Sequence, residues 1–440
     1  MTSPRLLERL ALHRPELRAW ALYDWANSAL FTVVITAVFP VFYAKSLAGD
    51  LDPDLRRSTF GWATTFSLLV AAVISPLLGA LADYARIKKK LFGAFLALGV
   101  LSTAGMFFLH PGQWELGRVL FGLANVAAAG SFVFYDALLS HVARDEELDQ
   151  LSTSGYAVGY LGGGLCLALC VWMLQQPALF GLDGPDKTLP ARAGFLVTAL
   201  WWGLFSIPFF LRVSEPEAAL EPDEQRGMNP VRVAFTRLFE TLRELRRWRA
   251  AFLMMIAFLV YNDGIGTVIR MATLFGTERA IPESTMLGAI LVVQFVGIPC
   301  AILFGRLAAR IGAKRAILCA LLVYVGIACV AYGMDTVGEF WTMAVLVGTV
   351  QGGAQALSRS LFSSLVPKHK SAEFFGLFST LEKFAGVVGP AVFSASASSG
   401  AAILSLIGFF AVGGAILACV NVKQGQQLAR AAEAGLRTTA

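Results

Sequence analysis

Charge is scarce in this chain. Only 15% of its 440 residues are Asp, Glu, Lys or Arg, against about 25% in soluble domains. That deficit excludes an ordinary soluble globule and a disordered polyelectrolyte. Histidine is scarcer still. His13, His110, His141 and His369 all lie at or near loops, and no zinc or haem spacing can be built from them. The six cysteines all fall within apolar segments, so a disulfide framework is not expected and they read as small packing residues. Glycine is plentiful, with 42 residues, yet no glycine cluster is followed by Lys-Ser or Lys-Thr. A phosphate loop is therefore missing from the sequence, and no cofactor and no enzymatic activity are expected. The opening MTSPRLLERLALHRPELR carries acids and no long apolar core, so it reads as a short amphipathic arm rather than a signal peptide.

What replaces charge is hydrophobicity. Apolar residues make up 56% of the chain, in continuous runs rather than in alternation. A bilayer admits only helices or closed barrels, because every backbone polar group must be satisfied internally, and continuous runs favour helices. A span needs about 20 mostly apolar residues. Twelve are expected, near 18–45, 59–83, 91–109, 114–140, 152–175, 191–212, 250–274, 284–309, 314–333, 338–364, 372–395 and 400–422. The chain then divides into an amino arm (1–17), a six-helix bundle (18–212), a polar linker with an Arg-rich amphipathic helix (213–249), a second six-helix bundle (250–422) and a tail (423–440). The net charge of +6 does not signal nucleic acid, because the basic residues sit in short tracts between spans. With both termini in the cytoplasm, 26 of the 36 Lys and Arg residues face inside, seven face outside and three (Arg270, Arg359 and Lys383) fall within spans. That excess fixes the expected orientation in a cell, or inner, membrane.

An internal repeat supports two related halves. GALADYARIKKK from Gly79 and GRLAARIGAKRA from Gly305 align at a shift of 226 residues, and Tyr23-Asp24 in span one matches Tyr261-Asn262-Asp263 in span seven. Matching loops and matching intramembrane acids in two six-helix halves are the pattern of a parallel repeat. This architecture resembles the major facilitator superfamily, whose loop motif of a glycine, an acid and a basic cluster is met by Gly79, Asp83, Arg86, Lys88, Lys89 and Lys90; the second copy has Ala309 where the acid would align. ALYDWANSALFTVVITAVFP (21–40) and YNDGIGTVI (261–269) further resemble the branch of autophagy-related vacuolar amino-acid effluxers and their bacterial relatives. The resemblance implies an all-α membrane protein of the major facilitator fold. It also implies alternating access to a midplane site, a small-molecule substrate, the lipid bilayer as surroundings and a monomeric state.

Charged residues at mid-bilayer cost about 2.5–3.5 kcal/mol on insertion scales, so they are the default site candidates. In span one, Asp24, Asn27 and Ser28 share a helical face beside Trp25. They read either as a site for a substrate ammonium or a proton, or as a packing cluster of hydrogen bonds. In span seven, Asp263 and Arg270 are seven residues apart, about 10 Å along the helix, with Tyr261 and Asn262 just before them. Divided charges of that kind suit a zwitterion. The bland alternative is an Arg270 that reaches for the interface and an Asp263 bonded to its own backbone. Glu382 and Lys383 in span eleven, with Asp24 and Asp263, are the candidates for proton coupling; a structural ion pair is the other reading of Glu382 and Lys383. The superfamily resemblance implies that Asp136, at the inner end of span four, couples to Arg86 or Lys88, with Arg359 of span ten in the equivalent place of the second half. Gly79, Asp83, Arg86, Lys88, Lys89, Asp136, Gly305 and Arg359 are therefore the expected gating residues. The expected function is secondary transport of a small polar or zwitterionic, amino-acid-like solute with proton coupling. The alternative is proton-coupled export of amphipathic drugs or toxins.

Overall fold

The computed structural model describes residues 4–216, 229–243, 247–278, 281–334, 336–381 and 399–437. Helix dominates it, as the absence of water in a bilayer requires. The first long helix, α1, covers Pro15–Leu47. A proline at its first turn costs no hydrogen bond there, and its turns widen to i→i+5 over Leu30–Val38 and Tyr43–Leu47. It is followed by α2 (Pro53–Ala85), α3 (Lys88–Gly105), α4 (Trp114–Val142), α5 (Leu148–Gln175) and α6 (Leu189–Arg212). A linker helix (Pro230–Arg243) leads to α7 (Arg249–Glu278), α8 (Glu283–Ile311), α9 (Ala313–Tyr332) and α10 (Val337–Leu365). The described part of α11 is helical over 371–381. α12 (Ser399–Ala418) and a tail helix (Val422–Arg437) end the described chain.

Among the described residues, nine helices are long and apolar enough to cross a membrane, and a tenth is added if α12 and the tail helix, bent by 57° at their break, form one span. α10 is not among the nine although it runs for 29 residues. Its second half carries Gln351, Gln355, Ser358, Arg359 and Ser360, and these polar groups are sheltered by packing against α5, α8 and α9 rather than facing lipid. Most of the expected eleventh span, with Glu382 and Lys383, lies outside the described residues.

The helices sort into two neighbourhoods. α1 packs against α5 and α6, while α4 holds α2 and α3; on the other side α7 and α9 pack on α12, and α8 on α10. The two neighbourhoods meet where α5 faces α8 and α10, and where α2 touches α11. The outer surface is apolar: Trp62, Phe66, Leu101, Leu204 and Leu322 are all well exposed, which suits contact with acyl chains. The linker helix buries Val233, Ala234 and Arg237 against α2.

Candidate functional site

The polar groups buried at the seam lie from the middle of the bundle toward the end that bears both termini. At their centre is Arg359 of α10, fully enclosed. Its Nη2 donates to Asp24 Oδ2 of α1 at 3.1 Å, and its Nη1 to Asp136 Oδ1 of α4 at 3.2 Å. Nε donates to the Ser152 hydroxyl at 2.9 Å, and Nη2 also reaches the Ser152 carbonyl at 3.1 Å. One guanidinium thus faces two carboxylates from the opposite neighbourhood, 4% exposed against 7% and 17%. The fork geometry of arginine makes such two-handed pairing possible.

Aromatic rings complete the enclosure. The Arg359 guanidinium carbon lies 4.7 Å from the Trp20 ring centre, 4.7 Å from Tyr156 and 5.5 Å from Tyr135, all within the roughly 6 Å at which a ring face attracts a cation. Trp20 and Tyr135 stack at 4.4 Å. Each also bonds the other's backbone: Trp20 Nε1 donates to the Tyr135 carbonyl at 3.1 Å, and Tyr135 Oη to the Trp20 carbonyl at 3.2 Å. Gly155 of α5 leaves the space that Asp24 occupies, since a Cβ there would run into Asp24 Oδ2. Nearby, the Ser360 hydroxyl donates to Asp149 Oδ1 at 2.6 Å and the Ser152 hydroxyl to the Ala356 carbonyl at 2.7 Å, so α5 and α10 are stitched at three levels.

The second seam uses the loop between α2 and α3. Asp83 Oδ2 accepts the Glu373 amide at 2.8 Å, holding the first turn of α11, where helix amides are free and a carboxylate is favourable. Lys88 Nζ lies 2.7 Å from Asp83 Oδ1, donates to the Ser371 hydroxyl at 3.1 Å and is 3.2 Å from His141 Nε2. Gly79 lets the helices close, because a Cβ would strike the Ala372 carbonyl. Gly305 plays the same part in the other seam, against the Thr153 hydroxyl of α5. Farther out, Asp145 meets Arg430 of the tail helix at 3.0 Å and Lys368 at 3.8 Å. The amino arm docks beside it: Arg14 Nη2 donates to Glu147 Oε2 at 2.6 Å. Burial pushes the Glu147 carboxyl up, but the Arg144 amide and the Arg14 charge outweigh it and hold its pKa below the usual glutamate range.

The structure rearranges several expected partnerships. Asp136 engages Arg359 rather than Arg86 or Lys88. Arg86 is exposed and stands in the left-handed region at φ 57°. Lys89 caps the end of α6 within its own neighbourhood, donating to the Phe210 and Val213 carbonyls at 3.0 and 2.5 Å. Asp24 is committed to an ion pair. Asn27 is buried on the same helix, and Ser28 faces Gly159 of α5. Trp25 stacks on Trp201 of α6 at 5.4 Å, away from the seam. Tyr261 Oη pairs with the Ser358 hydroxyl at 2.5 Å. Asp263 is buried and Asn262 half-buried on α7; the side chain of Arg270 lies outside the described residues, as do Glu382 and Lys383. Sequence reasoning missed Trp20, Tyr135, Ser152 and Tyr156, whose types are unremarked in apolar helices. The available signal was position: Trp20 is one turn before Asp24, and Tyr135 adjoins Asp136.

A family model described as "Vacuole effluxer Atg22 like" matches residues 56–430. The chain is 37% identical over 410 residues to the MFS-type transporter YxiO of Bacillus subtilis, covering 91% of this chain and 94% of that protein. It is 25% identical over 488 residues to autophagy-related protein 22 of Pyricularia oryzae, covering 86% and 71%. Among solved structures, the human organic anion transporter MFSD10 superposes with a TM-score of 0.69 at 14% identity, covering 92% of this chain and 99% of that one. The proton:xylose symporter XylE superposes at 0.68 and 12%, covering 91% and 94%. The fold is that of these major facilitator proteins.

Proposed function

Since this chain belongs to the vacuole effluxer Atg22-like family, and is a membrane transporter of the major facilitator type, we propose that it is a secondary transporter of a small amino-acid-like solute, working by alternating access with proton coupling. The observation that carries this reading is the Arg359–Asp24–Asp136 cluster. It joins α10 to α1 and α4 inside the membrane-crossing body, where uncompensated charge is costly. A structural pair would need one acid. Asp24 loses Arg359 when the helices part, and a proton then neutralises it.

In this reading the bundles 18–212 and 250–422 rock about a midplane site. The end bearing the termini is cytoplasmic in a cell membrane, and the described conformation is shut on that side. Asp263, buried on α7, serves the solute or the coupling proton in the carboxy bundle, where Asp24 serves the amino bundle. The experiment is flux of radiolabelled amino acids in proteoliposomes, with and without an imposed pH gradient. Gradient-driven flux that Asp263→Asn and Asp24→Asn each reduce at least tenfold, with insertion intact, is expected. Equal flux in the variants, or flux indifferent to the gradient, overturns the assignment of these acids.

A further inference from the structure

The second seam holds a titratable group that the transport cycle leaves unused. His141 lies in the last turn of α4, half-buried between Lys88 of α3 and the start of α11. Its Nε2 is 3.2 Å from Lys88 Nζ and 3.2 Å from the Ser371 hydroxyl, and Nζ itself donates to that hydroxyl at 3.1 Å. Chemistry fixes the protons of this triangle. Lys88 is paired with Asp83 Oδ1 at 2.7 Å, so it is an ammonium and only donates. Nε2 must then accept, which a neutral imidazole does and an imidazolium cannot. The ring also hydrogen-bonds the Lys368 backbone. The Lys368 amide is spent on Glu433 Oε1 at 2.9 Å, so the group that meets the ring is its carbonyl, and Nδ1 donates to it. A neutral ring from α4 thus clasps the carboxy-terminal side at two points, Ser371 and Lys368.

We infer that His141 is a proton-binding site in its own right, and that a proton taken up there from the terminus-bearing end releases the second seam. The charges that face the ring are Lys88 of α3 and, in the turn before α11, Lys368 and His369. The acids in reach of these cations are engaged by them: Asp83 of α2 by Lys88, and Asp145 by Lys368 at 3.8 Å. A proton on Nε2 sets an imidazolium 3.2 Å from an ammonium and turns that contact into donor against donor. One hydroxyl, that of Ser371, is left to accept from both. Withdrawal of Ser371 and Lys368 admits water and frees the flexible Lys88 stem to swing away, so the charged ring is accommodated in the parted state. Closure and protonation of His141 therefore exclude one another, and acid at that end favours opening. The site is separate from Asp24 and Asp263, so the inference goes beyond the coupling proton proposed above.

Accessibility of the seam in the full-length, detergent-solubilised protein tests this. The reporter is Ser75→Cys, a buried serine of α2 whose carbonyl lies against Gly376 of α11, in a background whose partly or well exposed cysteines are alanine. Its maleimide alkylation is divided at each pH by that of Glu146→Cys, exposed in the loop after α4, which removes the titration of the thiol itself. The ratio should rise about tenfold or more from about pH 8 to about pH 5. In His141→Gln, whose amide can accept from Lys88 and donate to Lys368 but takes no proton, the rise should stay below about twofold. His369→Gln should keep the full rise. A parent without the rise, a rise retained in His141→Gln, or one lost in His369→Gln alone overturns the inference. If His141→Gln does not fold, the parent gives a second reading: deuterium exchange at the imidazole C2 position, followed by mass spectrometry of the His141 peptide, should share its midpoint with the accessibility change. Midpoints more than about one pH unit apart overturn the inference. Gradient-driven flux and its loss in Asp24→Asn are read separately, so the transport reading can fail or stand independently of this result.

Discussion

Replacing Arg359 by Gln removes the cation that faces both Asp24 and Asp136 while keeping most of the side chain's bulk. The guanidinium is 4% exposed and its acids 7% and 17%, so little solvent screens them. Breaking a buried ion pair from one side costs about 3–5 kcal/mol. The whole of that cost falls on the state in which α10 sits against α1, α4 and α5, because in the parted state water solvates the carboxylates. At about 1.4 kcal/mol per factor of ten, the equilibrium should move toward opening at the terminus-bearing end by roughly 150- to 4,000-fold. The assay is alkylation of Ala356→Cys by a membrane-impermeant maleimide. Its background replaces Cys300, Cys319, Cys329 and Cys419, the partly or well exposed thiols, by alanine. The alkylation rate should rise at least a hundredfold, or reach the rate of a free thiol. Arg359→Lys, which keeps the charge and loses the fork, should fall between. A rate within twofold of the parent, with helical content unchanged, would refute the idea that this cluster holds the seam shut.

Other substitutions separate the seams from the scaffold. Asp83→Asn strips Lys88 of its buried partner and loosens the hold on the Glu373 amide, so the terminus-bearing end should again become accessible, read by alkylation of Ser371→Cys; no change would make Asp83 a bystander. Lys88→Ala should reproduce that effect, whereas Lys89→Ala, which uncaps α6, should lower the melting temperature without changing accessibility; identical behaviour of the two would contradict the division. Gly352→Ala should cut flux severely, because a Cβ there collides with the Tyr160 ring, and Tyr160→Leu should restore it; failure of the second change to rescue would place the defect elsewhere. The Glu147 carboxyl has a folded pKa below its unfolded one, so its contribution to stability is present above the ordinary glutamate value of about 4.3 and is lost as pH falls through the lowered folded value. Thermal stability should therefore drop in that acid window, and Glu147→Gln should flatten the drop; an unchanged profile would show that the Arg14 contact carries no weight.

The membrane-crossing body was legible because its cause is local: each apolar run must satisfy its own backbone, and α2, α4 and α9 run within a few residues of where hydropathy puts them. α10 shows the limit. Its polar residues depress hydropathy because neighbouring helices, not lipid, receive them. The charged site was half legible. Asp24, Asp136 and Arg359 stand out singly as intramembrane charges, yet Asp24 and Arg359 are 335 residues apart and nothing in the sequence pairs them. Expecting Asp136 to meet the loop basics failed for a plain reason: Asp83, five residues from Lys88, reaches it first at 2.7 Å. The aromatic walls were invisible, since Trp20, Tyr135 and Tyr156 are a few among 9 Trp and 9 Tyr in a chain rich in rings.

The repeat explains why the two seams are built differently yet share a polarity. In the first copy Lys89 caps the end of α6; in the second, Lys314, one position earlier in the aligned motif, donates to the Ala418 and Val420 carbonyls at the end of α12, at 2.6 and 2.8 Å. Cations at helix carboxyl ends are favourable, and this use survives in both copies. The acid does not: Asp83 reaches across to α11, while Ala309 has nothing to reach with. The other seam compensates from the opposite direction, with Arg359 and Ser360 of α10 donating to Asp24, Asp136 and Asp149. Asp83 likewise receives the Glu373 amide. At each of these contacts the carboxylate belongs to the amino-terminal helices and the donor to the carboxy-terminal ones. Parting the halves therefore takes Arg359 away from Asp24 and Asp136, while Asp83 keeps Lys88 within its own half. Asp24, which is 7% exposed and faces Arg359 in the closed seam, is therefore the carboxylate whose surroundings change most when α10 moves away.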